Sequence, residues 1–436
     1  MNPTDDTTDD DSRFSRRRIL GATATVGALG LAGCSGNNGD GTPTDTEMGT
    51  TTETMGTDTP MGDEESMAAP DVPLLNYALT LEHLENAFYR EGLETFSDDE
   101  LMNADALSEF TGSVRMEVPD YLRTVGAHEA AHVTAITDTV EQLGGTPVEE
   151  GEYDFGYQTP SEFLAVAQAL ENTGVAAYAG AAPQVVNNDV LAAAAGIHSV
   201  EARHAAFLNL VNDESPFPAA VDEAMSIDEV LEVAGQFVTS EVDPSVYETS
   251  DDRPQPDRKA DDDTSDLDVL NYALTLEHLE NAFYREGLET FSDEQLMNAD
   301  VLSEFSDEVT MAVPDHLRAV GQHEAAHVSA ITDTVNQFDG TPVEEATYDF
   351  GYETPSEFLS VAQALENTGV AAYKGAAPTV SNDAVFSAAI GIHSVEARHA
   401  AFLNELNTES PFPNGVDEPM TMQEVTQVAG QFIVES

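Results

Sequence analysis

The 436-residue chain is written largely twice. Leu75-Asn76-Tyr77-Ala78-Leu79-Thr80-Leu81-Glu82-His83 returns as Leu270-Asn271-Tyr272-Ala273-Leu274-Thr275-Leu276-Glu277-His278. The offset of 195 residues holds without a gap from Leu75/Leu270 to Val238/Ile433, and 125 of those 164 aligned positions are identical. Copies this similar are homologous domains that fold alike. The intervening stretch, 239–266, is rich in Asp, Pro and Ser and reads as an acidic linker. It separates a first domain at 71–238 from a second at 267–436.

Within a copy, apolar residues keep helical spacing in four long segments, and β-branched runs are rare. The first runs from about Leu74 to Leu93 and the second from about Pro119 to Leu143, stopping at Gly144-Gly145. The third opens at Thr159-Pro160-Ser161-Glu162, an N-cap followed by proline, and ends near Pro183. The fourth spans about Asn188 to Val211, with a shorter helix from about Ser226 to Val238. The long link Gly144–Gln158 suits a crossover between helix pairs rather than a tight hairpin. These features predict an all-α chain of two tandem four-helix bundles.

Fifteen Lys and Arg stand against 82 Asp and Glu, a formal net charge of −67. That charge excludes a nucleic-acid partner gripped through its phosphates, which needs a basic face. Only Lys259 and Lys374 are lysines. The composition resembles that of secreted proteins of extreme halophiles, where molar salt cuts the Debye length to about 3 Å and quiets self-repulsion. The single cysteine, Cys34, excludes an intrachain disulfide and any Cys-rich metal centre.

The N-terminus reads as an address. Ser15-Arg16-Arg17-Arg18-Ile19-Leu20 resembles a twin-arginine export signal. The apolar stretch Ile19–Ala32 that follows is shorter than the roughly 20 residues a membrane helix needs. Leu31-Ala32-Gly33-Cys34 resembles a lipobox, whose cysteine takes a lipid after cleavage just before it. The expectation is a signal peptide over 1–33, lipidation of Cys34, a disordered Gly-, Thr- and Asp-rich tether over 34–70, and a mature protein on the outer face of the cell membrane.

Chemistry is expected where the histidines recur. The second segment carries His128-Glu129-Ala130-Ala131-His132 and the fourth carries Glu201-Ala202-Arg203-His204. Each contains Glu-x-x-His, a spacing that puts both side chains on one helical face. The first and third segments each set a glutamate in an apolar face, Glu82 and Glu171, with a tyrosine seven residues on, Tyr89 and Tyr178. Burying four carboxylates without cations costs several kcal/mol per ion. Divalent metals supply the missing charge, and imidazole with carboxylate suits Fe, Mn or Zn.

The order Glu, Glu-x-x-His, Glu, Glu-x-x-His across four helices resembles the ferritin-like dimetal carboxylate proteins, in a branch that includes desiccation-related and other exported ferritin-like proteins. The resemblance covers nearly all of both repeats. It implies the ligands Glu82, Glu129, His132, Glu171, Glu201 and His204 in the first copy. In the second it implies Glu277, Glu324, His327, Glu366, Glu396 and His399. Two divalent metals per domain follow, iron first and manganese as the alternative, with the glutamates of the Glu-x-x-His motifs bridging.

Glu85, one turn beyond Glu82, is the other candidate on the first helix. Glu85, His128, Tyr89, Tyr178 and His198, with Glu280, His323, Tyr284, Tyr373 and His393 in the second copy, are the side chains expected to orient or supplement the ligands. His83 points about 100° from Glu82 and is expected to be structural. Arg203 and Arg398 are expected to make local ion pairs.

Three functions fit the sequence. The first is redox chemistry on O2 or peroxide at the dimetal sites: ferrous oxidation or peroxide removal, with an external electron donor for peroxidase turnover and a manganese catalase as the variant. The second is a protective or structural module in which the metals do not turn over. The third, iron storage, suits two fused bundles poorly, because a storage cage needs many identical bundles in closed symmetry.

Overall fold

The computed structural model describes residues 69–434, apart from 109, 111, 241–245, 248–253, 257 and 259–264. The export signal, Cys34 and the tether expected up to residue 68 lie outside the described residues. Among the described residues are twelve α-helices, six per repeat. The first repeat runs α1 (Val72–Thr95), α2 (Asp98–Met102), α3 (Gly112–Gln142), α4 (Pro160–Ala181), α5 (Asn188–Val211) and α6 (Ile227–Ala234). The second runs α7 (Asp266–Thr290), α8 (Asp293–Met297), α9 (Asp307–Gln337), α10 (Pro355–Ala376), α11 (Asp383–Leu406) and α12 (Met422–Ala429). No described helix is long and apolar enough to cross a membrane.

Each start is written in short-range chemistry. Thr159 accepts from the Glu162 amide while Glu162 reaches back to the Thr159 amide, a capping box with Pro160 at the first turn. Ser97/Glu100 and Ser226/Glu229 build the same box at α2 and α6. Asn187 caps α5 by accepting from Asp189 and Val190. Asp71, at the head of α1, instead accepts 2.8 Å hydrogen bonds from the amides of Val186 and Asn187, tying the entry of α1 to the entry of α5.

In each repeat α1 packs on α3 and α4 on α5, and the pairs close into a four-helix bundle; α7, α9, α10 and α11 repeat this. The link between α3 and α4 crosses the bundle and brings Tyr153, Phe155 and Tyr157 against Phe88, Phe163 and Phe237.

Two boundaries differ from the sequence expectation. Helix α3 begins at Gly112 and contains Pro119, which forfeits one backbone hydrogen bond. Burial of Val118 in the core holds the turns before the proline. Helix α6 ends at Ala234 instead of Val238, because the segment after it leaves to pair with the crossover. There Tyr153 and Val238 form an antiparallel bridge, and the Asp154 amide donates to Phe237 O at 2.8 Å.

The two bundles pack on each other through α5 and α11. Val175, Ala202 and Ala205 meet Val370, Ala397 and Ala400 in one buried cluster, small side chains that let the helices approach. Within the linker Arg258 is buried: it donates to Pro183 O in the first repeat and Val380 O in the second, pairs with Asp383 and lies over the Phe386 ring.

Candidate metal centre

Four helices aim carboxylates and imidazoles at one point inside each bundle. In the first repeat Glu82 comes from α1, Glu129 and His132 from α3, Glu171 from α4, and Glu201 and His204 from α5. All six are fully buried. They form two groups, Glu82, Glu129, His132 and Glu201, and Glu129, Glu171, Glu201 and His204, whose donor atoms lie within 4.8 Å of one another. Glu129 and Glu201 belong to both groups. The second repeat brings together Glu277, Glu324, His327 and Glu396, and Glu324, Glu366, Glu396 and His399, in the same way.

Both imidazoles turn Nδ1 to the centre. His132 Nδ1 lies 3.1 Å from Glu82 Oε2, 3.2 Å from Glu129 Oε2 and 3.1 Å from Glu201 Oε1. His204 Nδ1 lies 3.1 Å from Glu129 Oε1 and 3.1 Å from Glu171 Oε2. The outward nitrogens have partners of their own. His204 Nε2 is 3.0 Å from His128 Nδ1, and His132 Nε2 is 2.6 Å from the carbonyl oxygen of Gly415, in the opposite repeat.

The tyrosines hold the remaining carboxylates. Tyr89 Oη donates to Glu171 Oε1 at 2.5 Å, and Tyr178 Oη donates to Glu82 Oε1. Each of these glutamates thus has one oxygen tied to a phenol and the other facing the imidazole. Tyr284 on Glu366 and Tyr373 on Glu277 repeat the pattern. Glu85 is buried beside the groups without joining either, as is Glu280.

Charge is unbalanced. Burial, then repulsion from Glu201, Glu171, Glu129 and Glu82, pushes the Glu85 carboxyl well above the usual range. Burial and the neighbouring Glu129 and Glu171 do the same to Glu201. Burial raises Glu82 to about 7 against the pull of His132. For Glu129 burial is outweighed by His132 and His204, which hold it low. For His204 the desolvation cost is outweighed by Glu171 and Glu129, which raise it to about 9. Five carboxyl groups therefore crowd one buried pocket around two imidazoles held in the charged form, and protons on Glu85 and Glu201 relieve the repulsion. Burial, with His204 and His132 nearby, lowers His128 to about 3 and keeps it neutral.

Two observations test whether divalent metals fit. Glu201 Oε2 has no partner although fully buried, and Glu129 Oε1 and Glu201 Oε1 each face an imidazole nitrogen at 3.1 Å without hydrogen-bond geometry; Glu396 Oε2, Glu324 Oε1 and Glu396 Oε1 repeat this. Buried oxygens left this way need another positive partner. The second is Gly174, inside α4, where a Cβ would come within 3.1 Å of Glu85 Oε1 and 3.2 Å of Glu201 Oε2. Glycine there costs roughly 0.5–1 kcal/mol of helix stability relative to alanine and keeps space beside the carboxylates. Gly369 does the same beside Glu280 and Glu396. The donor set fits two adjacent oxygen- and nitrogen-liganded cations per repeat.

Other expected residues lie elsewhere. His198 and His393 sit at the interface between the repeats, ring centroids 5.7 Å apart. His83 Nε2 lies 3.1 Å from Val148 O and ties α1 to the crossover. Among the described residues Arg203 and Arg398 make no local ion pair. Arg203 Nε donates to Asp417 at 2.8 Å and Nη2 to Asn367 at 3.0 Å, while Arg398 pairs with Asp222 and Asn172 at the same distances. All four partners belong to the opposite repeat, because the α5–α11 interface turns these faces away from their own bundle.

The loops that supply Asp222 and Asp417 were not singled out from sequence. Their signal was there to be read: Glu-Ser-Pro-Phe-Pro at 214–218 recurs at 409–413, an aromatic between two prolines just past a helix end.

The ferritin-like domain family matches this chain twice, at residues 70–214 and 265–409. Over 149 residues the chain is 25% identical to Protein rds1 of Schizosaccharomyces pombe. That match covers 34% of this chain and 34% of the relative, so the chain spans about a third of the relative's length. With the family matched over more than half its length and the buried Glu/His clusters duplicated inside both matches, the chain belongs to the ferritin-like domain family.

Proposed function

We propose that each repeat holds two divalent metal ions, iron first and manganese as the alternative, and uses them in redox chemistry on O2 or peroxide. The observation that carries this reading is the sharing of Glu129 and Glu201, and of Glu324 and Glu396, between two adjacent ligand groups. Two ions held by these residues would supply the charge and electrons for reducing an O–O bond.

The chain's own residues do the rest. Glu82 and His132 would hold one ion and Glu171 and His204 the other, with Glu129 and Glu201 common to both. Tyr178 and Tyr89 fix the terminal carboxylates so that one oxygen of each faces inward. Full burial of all six ligands excludes bulk water. Glu85, held protonated beside Glu201, keeps a proton at the edge of the pocket, and Gly174 spares both carboxyls the close contact a side chain would make there.

Ferrous oxidation or peroxide removal, both protective, follows from this reading, with an external donor for repeated peroxide reduction. The twin-arginine and lipobox motifs support export and anchoring through Cys34. Cys34→Ala is expected to release the protein from membranes into the soluble fraction; retention would sink the anchoring.

The functional test is an O2 pulse on the chain loaded anaerobically with Fe(II) in high salt. Consumption of O2 or added peroxide in step with iron oxidation, faster than with free Fe(II), is the expected result. Bound iron that reacts no faster than free iron leaves a structural or protective module.

A further inference from the structure

The two metal centres sit in separate bundles, yet neither is built by one repeat alone. Between α5 and α6 the loop at 212–226 leaves the first bundle and packs on the second; the loop at 407–421 makes the reverse crossing. Phe412 is buried in the core of the first repeat and Phe217 in the core of the second. Phe412 stands edge-on to His204, centroids 5.1 Å apart, and to His128 at 6.1 Å. Phe217 does the same to His399 at 5.0 Å and His323 at 5.9 Å.

Three residues beyond Phe412, Gly415 offers its carbonyl to His132 Nε2 at 2.6 Å. Three beyond Phe217, Ala220 offers its carbonyl to His327 Nε2 at 2.5 Å. The side chain at this place differs between copies while the contact does not, because the backbone oxygen is what is used. Prolines on both sides of each phenylalanine restrict it and the serine before it to extended backbone, so anchor and carbonyl are presented stiffly. The far end is pinned as well. The Asp417 amide donates to Gly196 O at 3.2 Å and its carboxylate takes Arg203, while the Asp222 amide donates to Gly391 O at 3.1 Å and its carboxylate takes Arg398.

A ligating imidazole is oriented by the acceptor on its other nitrogen, and losing such a partner typically costs 10–100-fold in metal affinity. In each centre one histidine takes that acceptor from the opposite repeat. The other, with the histidine behind it, is packed by the opposite repeat's phenylalanine.

We infer that each dimetal centre is completed by the crossing loop of the opposite repeat, with Phe412 and the Gly415 carbonyl positioning His204 and His132, and Phe217 and the Ala220 carbonyl positioning His399 and His327. The paired repeats, not a single bundle, are then the unit that binds metal. This rests on the reading that the clusters hold metal. Phe217 and Ala220, like Phe412 and Gly415, lie just beyond the family-matched residues 70–214 and 265–409.

The test reads one centre at a time in the full chain, by equilibrium dialysis of Mn(II) in high salt. Glu324→Ala leaves only the first centre intact and Glu129→Ala only the second. Adding Phe412→Ala, a second-repeat change, should raise the Mn(II) Kd of the first centre about 10–100-fold and leave the second within about twofold. Phe217→Ala should do the mirror image. A general loss of structure would weaken both centres, so selectivity for the opposite repeat separates positioning from stability.

Phe412→Leu keeps most of the packed volume and should show the same selectivity, more weakly, should the alanine variant not fold. Equal weakening of both centres, weakening of the centre in the mutated repeat alone, or no change overturns the inference. Absence of Mn(II) and Fe(II) binding by the unaltered chain overturns the dimetal reading beneath it.

Discussion

Glu129 on α3 and Glu201 on α5 stand together in both Glu/His groups of the first repeat, each within about 3.2 Å of an inward imidazole nitrogen. Removing either takes an oxygen from both places at once. Glu129→Ala is therefore expected to empty the first centre entirely and to halve the metal bound per chain, with the second centre retained. Elemental analysis after dialysis checks this. Equal metal in variant and parent would show that the ligands lie elsewhere.

Tyr178 controls Glu82 from behind. Tyr178→Phe leaves Glu82 Oε1 buried without its donor, a loss of about 1–3 kcal/mol in the folded state and roughly tenfold in metal affinity at the first centre. Paired thermal melts and Mn(II) titrations of Tyr178→Phe and Tyr373→Phe measure both effects. Unchanged affinity would reduce the phenol to core packing.

The protonated cluster residues of the metal-free protein should contribute less stability as pH rises. Glu82 and Glu277 lie near 7 in the fold, above an ordinary value of 4.5, so the fold holds protons that the unfolded chain releases between those limits. His204 and His399, at about 9 against 6.5, extend the same sign upward. Stability from these groups therefore falls between about pH 5 and 9. Metal competes with the same protons, so affinity rises over the lower part of that range. The expected result is a gap in melting temperature between metal-loaded and metal-free protein that widens from pH 5.5 to pH 8. A gap that narrows contradicts the electrostatics described for the pocket.

A net charge of −67 predicts that the fold depends on salt. At about 0.1 M salt the Debye length is about 10 Å and the surface carboxylates repel one another; above about 1 M it is 3 Å or less. Helical circular dichroism should melt at a markedly lower temperature in the dilute buffer. Full stability there would contradict adaptation to high salt.

The buried Glu/His cluster was legible because it is written in local spacing. Glu-x-x-His on a helix fixes a shared face whatever the tertiary context, and the seven-residue step from Glu82 to Tyr89 and from Glu171 to Tyr178 marks the two other inward stripes. Within the stripes the tyrosines cross over: Tyr178 serves Glu82, and Tyr89 serves Glu171. Spacing along one helix cannot reveal that exchange.

The interface between the bundles was less legible still. Arg203 lies beside Glu201 and His204 in the chain and looks locally paired, but its partner Asp417 is 214 residues away. The cue lay in the duplicated Ser-Pro-Phe-Pro loops, whose destination depends on how two bundles dock rather than on any periodicity. Pro119 misled for a related reason. Proline is at home in a first helical turn, and only the burial of Val118 shows that the helix began earlier.

The most direct measurement is the metal content of the chain from Cys34 onward, purified in high salt without chelators and, in parallel, after anaerobic Fe(II) addition and dialysis. Two dimetal centres predict about four Fe or Mn per chain. A chain that retains no metal under either condition would contradict the account at its centre.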